Sequence, residues 1–329
     1  MKPTEWIARL LIAITLVAAV AVPLFLRWRS PLIHARMAES GGWSVDSLRA
    51  AVGVPLHLRL ISDDVVHGFA VGKLDAPAVD VMPGKITALT LLFERPGTYT
   101  FYCTRWCGLN HWRMRGTIEV DGAASAPAAS NPPLYASLGI DLDAPRSAMA
   151  IPAARPVAGL ATRQLASQLE AYRSAEYYRS HSPDETWQAL RTDPTLRPLE
   201  DAALWSATGW IWKSNTTPQA VVRGEALFAQ NCAACHGQGG RGDGVFADDL
   251  KAAGAHRAQS AMNEGSMFTQ GPANLADPER MLAASPALLQ GKILRGGMGT
   301  GMPSWGPIFN DEQTWDLVSY LYTFQFDYP

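Results

Sequence analysis

Four cysteines, arranged in two close pairs, are the residues of this 329-residue chain that most directly indicate chemistry. The first pair is Cys103 and Cys107, and the second pair is Cys232 and Cys235. A secreted fold stapled by disulfides normally spreads more cysteines over a much shorter chain. The cysteine usage therefore favours metal binding or cofactor attachment.

The first pair belongs to the segment CTRWCGLNHWRM, which has the spacing C-x3-C-x3-H-x2-M and ends with His111 and Met114. His67 precedes this segment by about one predicted hairpin. Thiolate, imidazole and thioether groups together form a soft ligand set that suits copper. The segment lies between two predicted strands, and a loop at one end of a sandwich can direct several ligands to one spot.

Three interpretations of this segment compete. A disulfide between Cys103 and Cys107 would leave both histidines and Met114 unexplained. A mononuclear blue-copper site would use two histidines, one cysteine and a weak methionine, and would leave one cysteine over. A two-copper site bridged by both thiolates would use all of these residues.

The second pair forms Cys232-Ala-Ala-Cys235-His236, which matches the C-x-x-C-H pattern of c-type haem attachment. In such a site two thioether bonds hold the macrocycle and the adjacent imidazole is presented to the iron. A thioredoxin-like redox pair would need a βαβ context, and a zinc half-site would need a second cysteine pair to complete it. The pattern therefore predicts one covalently attached haem c.

Short strands are predicted around the first pair. Runs such as LHLRLIS, KITALTLLFE and TYTFYC are separated by the turn signals Pro83-Gly84 and Pro96-Gly97. We therefore expect an all-β sandwich over residues 44–122. Residues 123–160 are rich in Ala, Ser and Pro, and their prolines block long helices, so we expect a linker there that is partly ordered at most.

Helices are predicted over the rest of the chain, in an extension over residues 161–213 and an all-α domain over residues 214–329. Leu165, Leu169 and Tyr172 recur at helical spacing. Helix starts are indicated by capping signals at three places, namely Ser182 to Glu185, Thr217-Pro218 and Asn310 to Gln313. The extension also carries Trp205, Trp210 and Trp212, which we expect to pack against the following domain.

The chain begins with a predicted membrane anchor. Residues 10–26, LLIAITLVAAVAVPLFL, carry no charge and approach the ~20 residues that cross a bilayer. A cleaved secretory signal has a shorter apolar region that ends in small residues, whereas this run ends in Leu-Arg-Trp-Arg. Trp6 and Trp28 flank the run as interfacial aromatics do. We therefore predict one transmembrane helix within residues 1–30.

Four segments of the chain resemble subunit II of the haem-copper oxidases. These segments are Val66 to Phe69, Val81 to Gly84, Phe93 to Gly97 and the loop from Cys103 to Met114. The resemblance covers about residues 44–122 and implies a cupredoxin fold with a binuclear CuA centre. The single predicted anchor is similar to the B-type oxidases.

The resemblance also implies a role for each residue of the copper site. Cys103 and Cys107 would bridge the two coppers, and His67 and His111 would bind one copper each. Met114 would be a weak axial ligand, and the last ligand would be a backbone carbonyl at position 105. Family members often have Glu there, whose side chain can hold a divalent ion at the subunit interface. Arg105 cannot do so.

The segments Gly224 to Phe228 and Gly301 to Trp305 resemble class I cytochromes c, a resemblance that covers about residues 218–324. It implies Met302 as the sixth haem ligand. Met298 and His256 are alternatives, whereas Met262 and Met267 are of a type that often fills core space.

Together these resemblances imply an electron-transfer subunit of a cytochrome c oxidase that passes electrons from haem c to CuA and on to the catalytic subunit I. The external donor would be a cytochrome c or a small copper protein. Both domains would face the periplasm or exterior of the bacterial cytoplasmic membrane. Two alternatives are the equivalent subunit of a nitric oxide reductase and a stand-alone tethered carrier. The formal net charge of -2, without a concentrated basic footprint, argues against a nucleic-acid binder.

Overall fold

The chain divides into two compact units, Met1–Ser125 and Ala126–Pro329, in a computed structural model. The structure describes residues 6, 11–17, 19, 30–108, 110–122, 132–159, 165–260, 271–297 and 300–328. Most of the predicted anchor over residues 1–30 lies outside these ranges. Within them, no helix combines the length and the apolar content that a bilayer crossing requires.

The first unit is a β-sandwich. Its described strands are β1 Leu32–Ala35, β2 Ser47–Ala51, β3 Leu56–Ser62, β4 His67–Val71, β5 Val79–Val81, β6 Thr87–Leu91, β7 Gly97–Tyr102 and β8 Arg115–Asp121. These strands form one sheet in the order β1-β3-β6 and a second sheet in the order β2-β8-β7-β4-β5. The all-β prediction is confirmed, but the sandwich begins at Leu32 rather than at residue 44. The run of β1 is only four residues long, and it is fixed by parallel pairing with β3.

Side chains from both sheets form one core between them. Leu58 and Leu60 of β3 are buried from one sheet, and Phe69 and Phe101 are buried from the other. The Phe69 and Phe101 rings stack with centroids 5.5 Å apart, and Trp43 meets both rings edge-on. Dense packing of this kind resists displacement of the strands that leave it. The core therefore gives the ends of β4 and β7 a rigid base.

The second unit is helical. Its described helices are α1 Leu134–Ser137, α2 Ala175–Ser180, α3 Pro183–Thr192, α4 Asp201–Ser214, α5 Pro218–Asn231, α6 Ala233–His236, α7 Ala247–Ser260, α8 Pro278–Met281, α9 Pro286–Arg295 and α10 Asp311–Leu321. The predicted capping signals begin α3, α5 and α10. In α3, Ser182 Oγ accepts from the Glu185 N–H at 3.2 Å, and the Glu185 carboxylate accepts from the Ser182 N–H at 2.7 Å.

The stretch from Leu165 to Tyr172 differs from its predicted helix. It forms turns followed by a 3-10 helix over Glu170–Tyr172. Leu169 is fully buried, whereas Leu165 and Tyr172 are only half-buried. The helical spacing of the three residues therefore reflects one anchoring side chain and not a continuous apolar face.

Helices α5 and α10 pack closely in this unit. A Cβ on Gly224 of α5 would lie 2.1 Å from the backbone oxygen of Asp316, so glycine is required at this contact. The Arg223 guanidinium beside it donates to both oxygens of the nearly buried Asp316 carboxylate, at 2.6 and 2.9 Å. Helix α5 ends at Asn231, directly before Cys232.

Two of the three tryptophans of the extension lie in aromatic contacts. Trp212 is fully buried and meets Tyr178 and Tyr322 edge-on, with centroid distances of 5.6 and 5.8 Å. Its contact with Tyr322 agrees with the predicted packing against the following domain. Trp205 stacks on Trp187 within the extension itself. The Arg173 guanidinium lies 4.8 Å from the ring centroid of the third, Trp210.

Residues 132–159, which we call the strap, pack against the helices of the second unit where the sequence predicts a linker. Leu142 of the strap is buried, and the Asp184 carboxylate of α3 accepts from the backbone N–H of Met149 and Ala150. Val157 forms a bridge with Asp327. Proline disfavours helix interiors and central strands, but it leaves an extended chain free to pack through its side chains. Composition alone does not reveal this packing.

Candidate metal centre and haem-motif cavity

Strand pairing brings the first cysteine motif together with His67. Antiparallel pairing of β4 with β7 and of β7 with β8 places the start of β4 and the β7–β8 loop at the same end of the sheet. His67 begins β4, Cys103 directly follows β7, and Met114 directly precedes β8. The sheet thereby brings His67 close to Cys103 and Met114, which follow it in the sequence by 36 and 47 residues.

The ligand atoms of His67, Cys103 and Cys107 all lie within 4.8 Å of one another. The two sulfurs are 3.7 Å apart, and Cys103 Sγ lies 3.9 Å from His67 Nδ1. Met114 Sδ lies 3.4 Å from Cys107 Sγ. The fifth predicted side-chain ligand, His111, is buried in the same loop and lowers the pKa of Cys103, but it is not in the group whose ligand atoms all lie within 4.8 Å of one another. We call these five residues the Cys103–Cys107 cluster.

The positions of the two sulfurs bear on two of the three interpretations made from the sequence, namely the disulfide and the mononuclear copper site. A disulfide has an S–S distance of about 2.05 Å, and both cysteines here are free thiols. The sulfurs of both cysteines are directed to the same small volume, so neither is left over. The arrangement therefore agrees with a site that uses both thiolates.

The electrostatics of the two thiols are coupled. The hydrogen bond from Cys107 lowers the pKa of Cys103, and hydrogen bonds from His111 and His67 lower it further against the opposing effect of burial. The pKa of Cys107 is raised because its thiol donates to the Cys103 thiolate and because it is buried. One proton is therefore easily lost from the pair, and a bound cation would be needed to favour loss of the second.

The cluster is held by residues that the sequence analysis did not single out. Asp64 Oδ1 lies 2.7 Å from His67 Nε2, which leaves Nδ1 as the nitrogen that faces the sulfurs. Trp43 Nε1 donates to the Met114 carbonyl at 3.0 Å, and the Cys103 N–H donates to the same oxygen at 3.0 Å. Asp64 lies three residues before His67, a local signal, whereas nothing local connects Trp43 with Met114.

The backbone carbonyl of Arg105, and not its side chain, faces Cys103. Its carbonyl oxygen lies 3.3 Å from Cys103 Sγ and accepts from the Cys107 N–H at 2.9 Å. The guanidinium points to Asp80. Two thiols, two imidazoles, a thioether and this carbonyl form a buried and mostly soft donor set, which fits copper.

The second cysteine motif lines a cavity in the helical unit. Helix α5 leads to Cys232, and α6 carries Cys235 and His236. The cavity has a volume of about 220 Å³, and its walls include these three residues and Met302. We call it the CxxCH cavity. It brings together the four residues that the sequence assigned to one haem.

Hydrogen bonding fixes the orientation of the His236 ring. Its Nδ1 lies 2.9 Å from the Ala273 carbonyl oxygen, and because a carbonyl only accepts, Nδ1 is the donor and Nε2 is the nitrogen left for a metal. Burial lowers the pKa of His236, which favours the neutral imidazole that binds iron. Burial raises the pKa of Cys232 to about 12 and of Cys235 to about 11. A neutral His236 whose Nε2 is left available suits a ligand to haem iron.

Met298, Met262 and Met267 lie outside the described residues, and so does the side chain of His256. Met302 itself is half-buried, and its backbone is held by a hydrogen bond from the Gly297 N–H to its carbonyl at 3.1 Å.

The fold and sites define a cupredoxin-like sandwich with a copper-type donor set, followed by a helical domain with a haem-attachment motif. Residues 32–121 match the family of the cytochrome c oxidase subunit II periplasmic domain. Residues 219–321 match the family of cbb3-type cytochrome c oxidase subunit III. One region of the chain is therefore similar to a subunit II periplasmic domain, and a second region is similar to a cytochrome c subunit of the cbb3 type.

Two curated relatives each match a short part of this chain. Cytochrome c oxidase subunit 2 of Thermus thermophilus is 34% identical over 84 residues, which are 26% of this chain and 62% of that protein. Cytochrome c oxidase subunit 2 of Apis mellifera ligustica is 41% identical over 66 residues, which are 20% of this chain and 29% of that protein. The chain thus spans less than two thirds of the length of these relatives.

Two solved structures resemble part of this chain. A chain from a cryo-EM structure of a haem-copper terminal oxidase dimer has 20% sequence identity and a TM-score of 0.24, and covers 36% of this chain and 99% of its own length. The periplasmic domain of subunit II of cytochrome oxidase from Bradyrhizobium japonicum has 22% identity and a TM-score of 0.22, and covers 25% and 58%.

Proposed function

We propose that this chain is the electron-transfer subunit II of a membrane haem-copper terminal oxidase, and that it passes electrons from haem c to CuA and on to the catalytic subunit I. One observation carries this proposal. A buried cluster of two thiols, two imidazoles and a thioether occurs on the same chain as a cavity lined by a complete C-x-x-C-H motif. Copper and haem held at these places would each supply one-electron chemistry.

In the Cys103–Cys107 cluster we assign the metal-binding roles from the donor atoms. Cys103 and Cys107 would hold the two coppers of a binuclear centre through their thiolates, because their sulfurs lie 3.7 Å apart within one group of ligand atoms. His67 and His111 bind one copper each through their imidazoles. Met114 is a weak ligand through sulfur, and Arg105 contributes its carbonyl oxygen, which already faces Cys103.

In the CxxCH cavity we assign four residues to one haem c. Cys232 and Cys235 form the thioether bonds, and His236 is the axial ligand through Nε2. Met302 is the sixth ligand, because it lines the same cavity and begins the Met-Pro turn ahead of α10. The Ala273 carbonyl fixes the tautomer of His236 and strengthens its donor character.

The protein around each site keeps these donors in place. Asp64 orients His67, and Trp43 holds the Met114 backbone. The stacked rings of Phe69 and Phe101 belong to β4 and β7, the strands next to the cluster. Rigidity of this kind suits electron transfer, since a change of oxidation state then moves few atoms. The residues near the sites thus act by orienting ligands and excluding water.

We further propose that the chain is anchored in the bacterial cytoplasmic membrane by one helix within residues 1–30, with both soluble units at the periplasmic or exterior side. The uncharged run over residues 10–26 supports the anchor, and the family of residues 32–121 is described as a periplasmic domain. The partners would be a haem-copper subunit I and an external donor, either a cytochrome c or a small copper protein.

Purification of the tagged full chain from its native membranes tests this function. We expect a large haem-copper subunit to co-purify, identified by mass spectrometry, and the complex to consume oxygen with a reduced donor. A complex that reduces nitric oxide but not oxygen would overturn the oxidase assignment. A chain that purifies alone, with both centres loaded, would instead establish a tethered carrier.

A further inference from the structure

The strap and helix α9 interlock at a glycine. A Cβ on Gly291 would lie 2.7 Å from Leu142 Cδ2 and 2.8 Å from the Tyr135 ring. These two strap side chains therefore occupy the space that a side chain at position 291 would need. Leu142 is 3% exposed. Close packing of this kind fixes the height of the strap along α9. It thereby brings the next strap residue, Asp143, beside the last turn of the helix.

Asp143 forms a bidentate ion pair with Arg295, the last residue of α9. The Arg295 guanidinium donates to the two Asp143 carboxylate oxygens at 2.7 and 2.6 Å. Both residues line the CxxCH cavity. Two parallel hydrogen bonds fix the plane of the guanidinium as well as its distance, unlike a single contact between point charges.

The end of α9 leads directly into the loop that carries Met302. Arg295 Nε donates to the Gly296 carbonyl at 3.3 Å, and the Gly297 N–H donates to the Met302 carbonyl at 3.1 Å. Gly296 has φ +75, and a Cβ there would lie 2.6 Å from the Pro303 backbone. The helix end and both sides of Met302 are therefore joined by short backbone contacts, so a shift at Arg295 reaches Met302.

We propose that Asp143 is a positioning residue for the Met302 loop. Through Arg295 it fixes the end of α9, and so it keeps Met302 in the cavity that holds Cys232, Cys235 and His236. The segment predicted as a linker thus supports the ligation of the haem. This inference rests on the proposed function, because it takes Met302 as the sixth ligand.

Replacing Asp143 by Asn tests the proposal, because ligation and electrostatics predict opposite changes of reduction potential. Removing a negative charge near the haem disfavours the oxidised, more positive iron, and alone it raises the potential. Loss of methionine ligation lowers the potential. We expect D143N to lower the potential, weaken the sulfur-to-iron absorption band and bind added imidazole roughly fivefold more tightly, as loss of a partly exposed ion pair allows.

The measurements use the full chain with its covalently attached haem. Asp201→Asn is the matched control, because Asp201 also pairs with an arginine, Arg191 at 3.5 Å, but does not line the CxxCH cavity. Asp143→Glu keeps the charge and should recover most of the band. Far-UV circular dichroism confirms that each variant is folded.

An unchanged band and unchanged imidazole affinity in D143N would overturn the positioning role. A raised potential with an intact band would also overturn it, since Asp143 would then act through its charge alone. A separate outcome concerns the proposed ligand. If Met302→Ala keeps the band, the ligation assignment fails, whereas loss of the band in M302A with no effect of D143N leaves that assignment standing.

Discussion

Arg105 donates two hydrogen bonds, each of 2.9 Å, to the two carboxylate oxygens of Asp80 on strand β5. The side chain is thereby directed to the neighbouring strand, while the carbonyl oxygen of the same residue lies 3.3 Å from Cys103 Sγ. Backbone and side chain of this residue therefore serve different partners.

We predict that Arg105→Ala keeps the copper content of the protein. The pair with Asp80 is exposed on both sides, at 56% and 47%, and exposed ion pairs contribute at most about 1 kcal/mol to the free energy of unfolding. Metal analysis and denaturant unfolding of the copper-loaded variant check this. Loss of copper from the variant would show that the side chain, and not only the carbonyl, is needed.

Cys103→Ser and Cys107→Ser should each abolish the binuclear centre. A hydroxyl is a harder and far less acidic donor than a thiol, so it cannot replace a bridging thiolate. The copper content should fall below two per chain, and the electron paramagnetic resonance signal of an electron shared by two coppers should disappear. Arg105→Ala serves as the control in the same loop. Two coppers with the shared-electron signal in either serine variant would contradict the bridging roles.

Met302→Ala should remove the sulfur-to-iron absorption band and lower the reduction potential of the haem, since methionine ligation raises that potential. Met149→Ala is the matched control, because Met149 is 78% exposed in the same unit and does not line the CxxCH cavity. Absorption spectra and redox titration measure both effects. Persistence of the band in M302A would make Met298 the better candidate.

The Asp143–Arg295 pair should stabilise the helical unit in a pH-dependent way. The hydrogen bonds from Arg295 lower the pKa of Asp143, so its stabilising effect is present above the unfolded value of about 3.9 and is lost as the pH falls through the lower folded value. We expect D143N to be less stable than the native chain at neutral pH, by less than about 1 kcal/mol because the pair is partly exposed. In denaturant titrations the difference should shrink as the pH falls below about 3.9, and it should vanish once the pH lies below the lowered folded pKa of Asp143. A difference that persists there would show that the pair's charge is not its cause.

Candidate ligands that lie close together in the chain could be predicted from the sequence, whereas the residues that orient them could not. Short-range patterns identified Cys103, Cys107 and His111, the C-x-x-C-H motif and the capping boxes, because each depends on residues close in the chain. Trp43 bonds to Met114 across 71 residues, and Ala273 bonds to His236 across 37. Such partners are set by tertiary packing and leave no local signal.

The strap is a second example of tertiary contacts that could not be predicted from the sequence. Its prolines indicated correctly that no long helix or central strand forms there. They do not show that Leu142 fills the space over Gly291 or that Asp143 meets Arg295, since both contacts depend on helix α9 nearly 150 residues later. Composition predicts which backbone conformations a segment cannot adopt, but it does not predict the surface on which the segment packs.

The proposed function requires that electrons enter at the haem of the second unit and leave through the copper centre of the first. Joining both units on one chain holds them at high effective concentration, which makes transfer between them intramolecular. Time-resolved absorption of the intact complex, after injection of one electron from its native donor, tests this order most directly. We predict that haem c is reduced first and is reoxidised as CuA becomes reduced, at a rate independent of dilution. Reduction of CuA at its full rate in a Cys232→Ala, Cys235→Ala variant would contradict the claim.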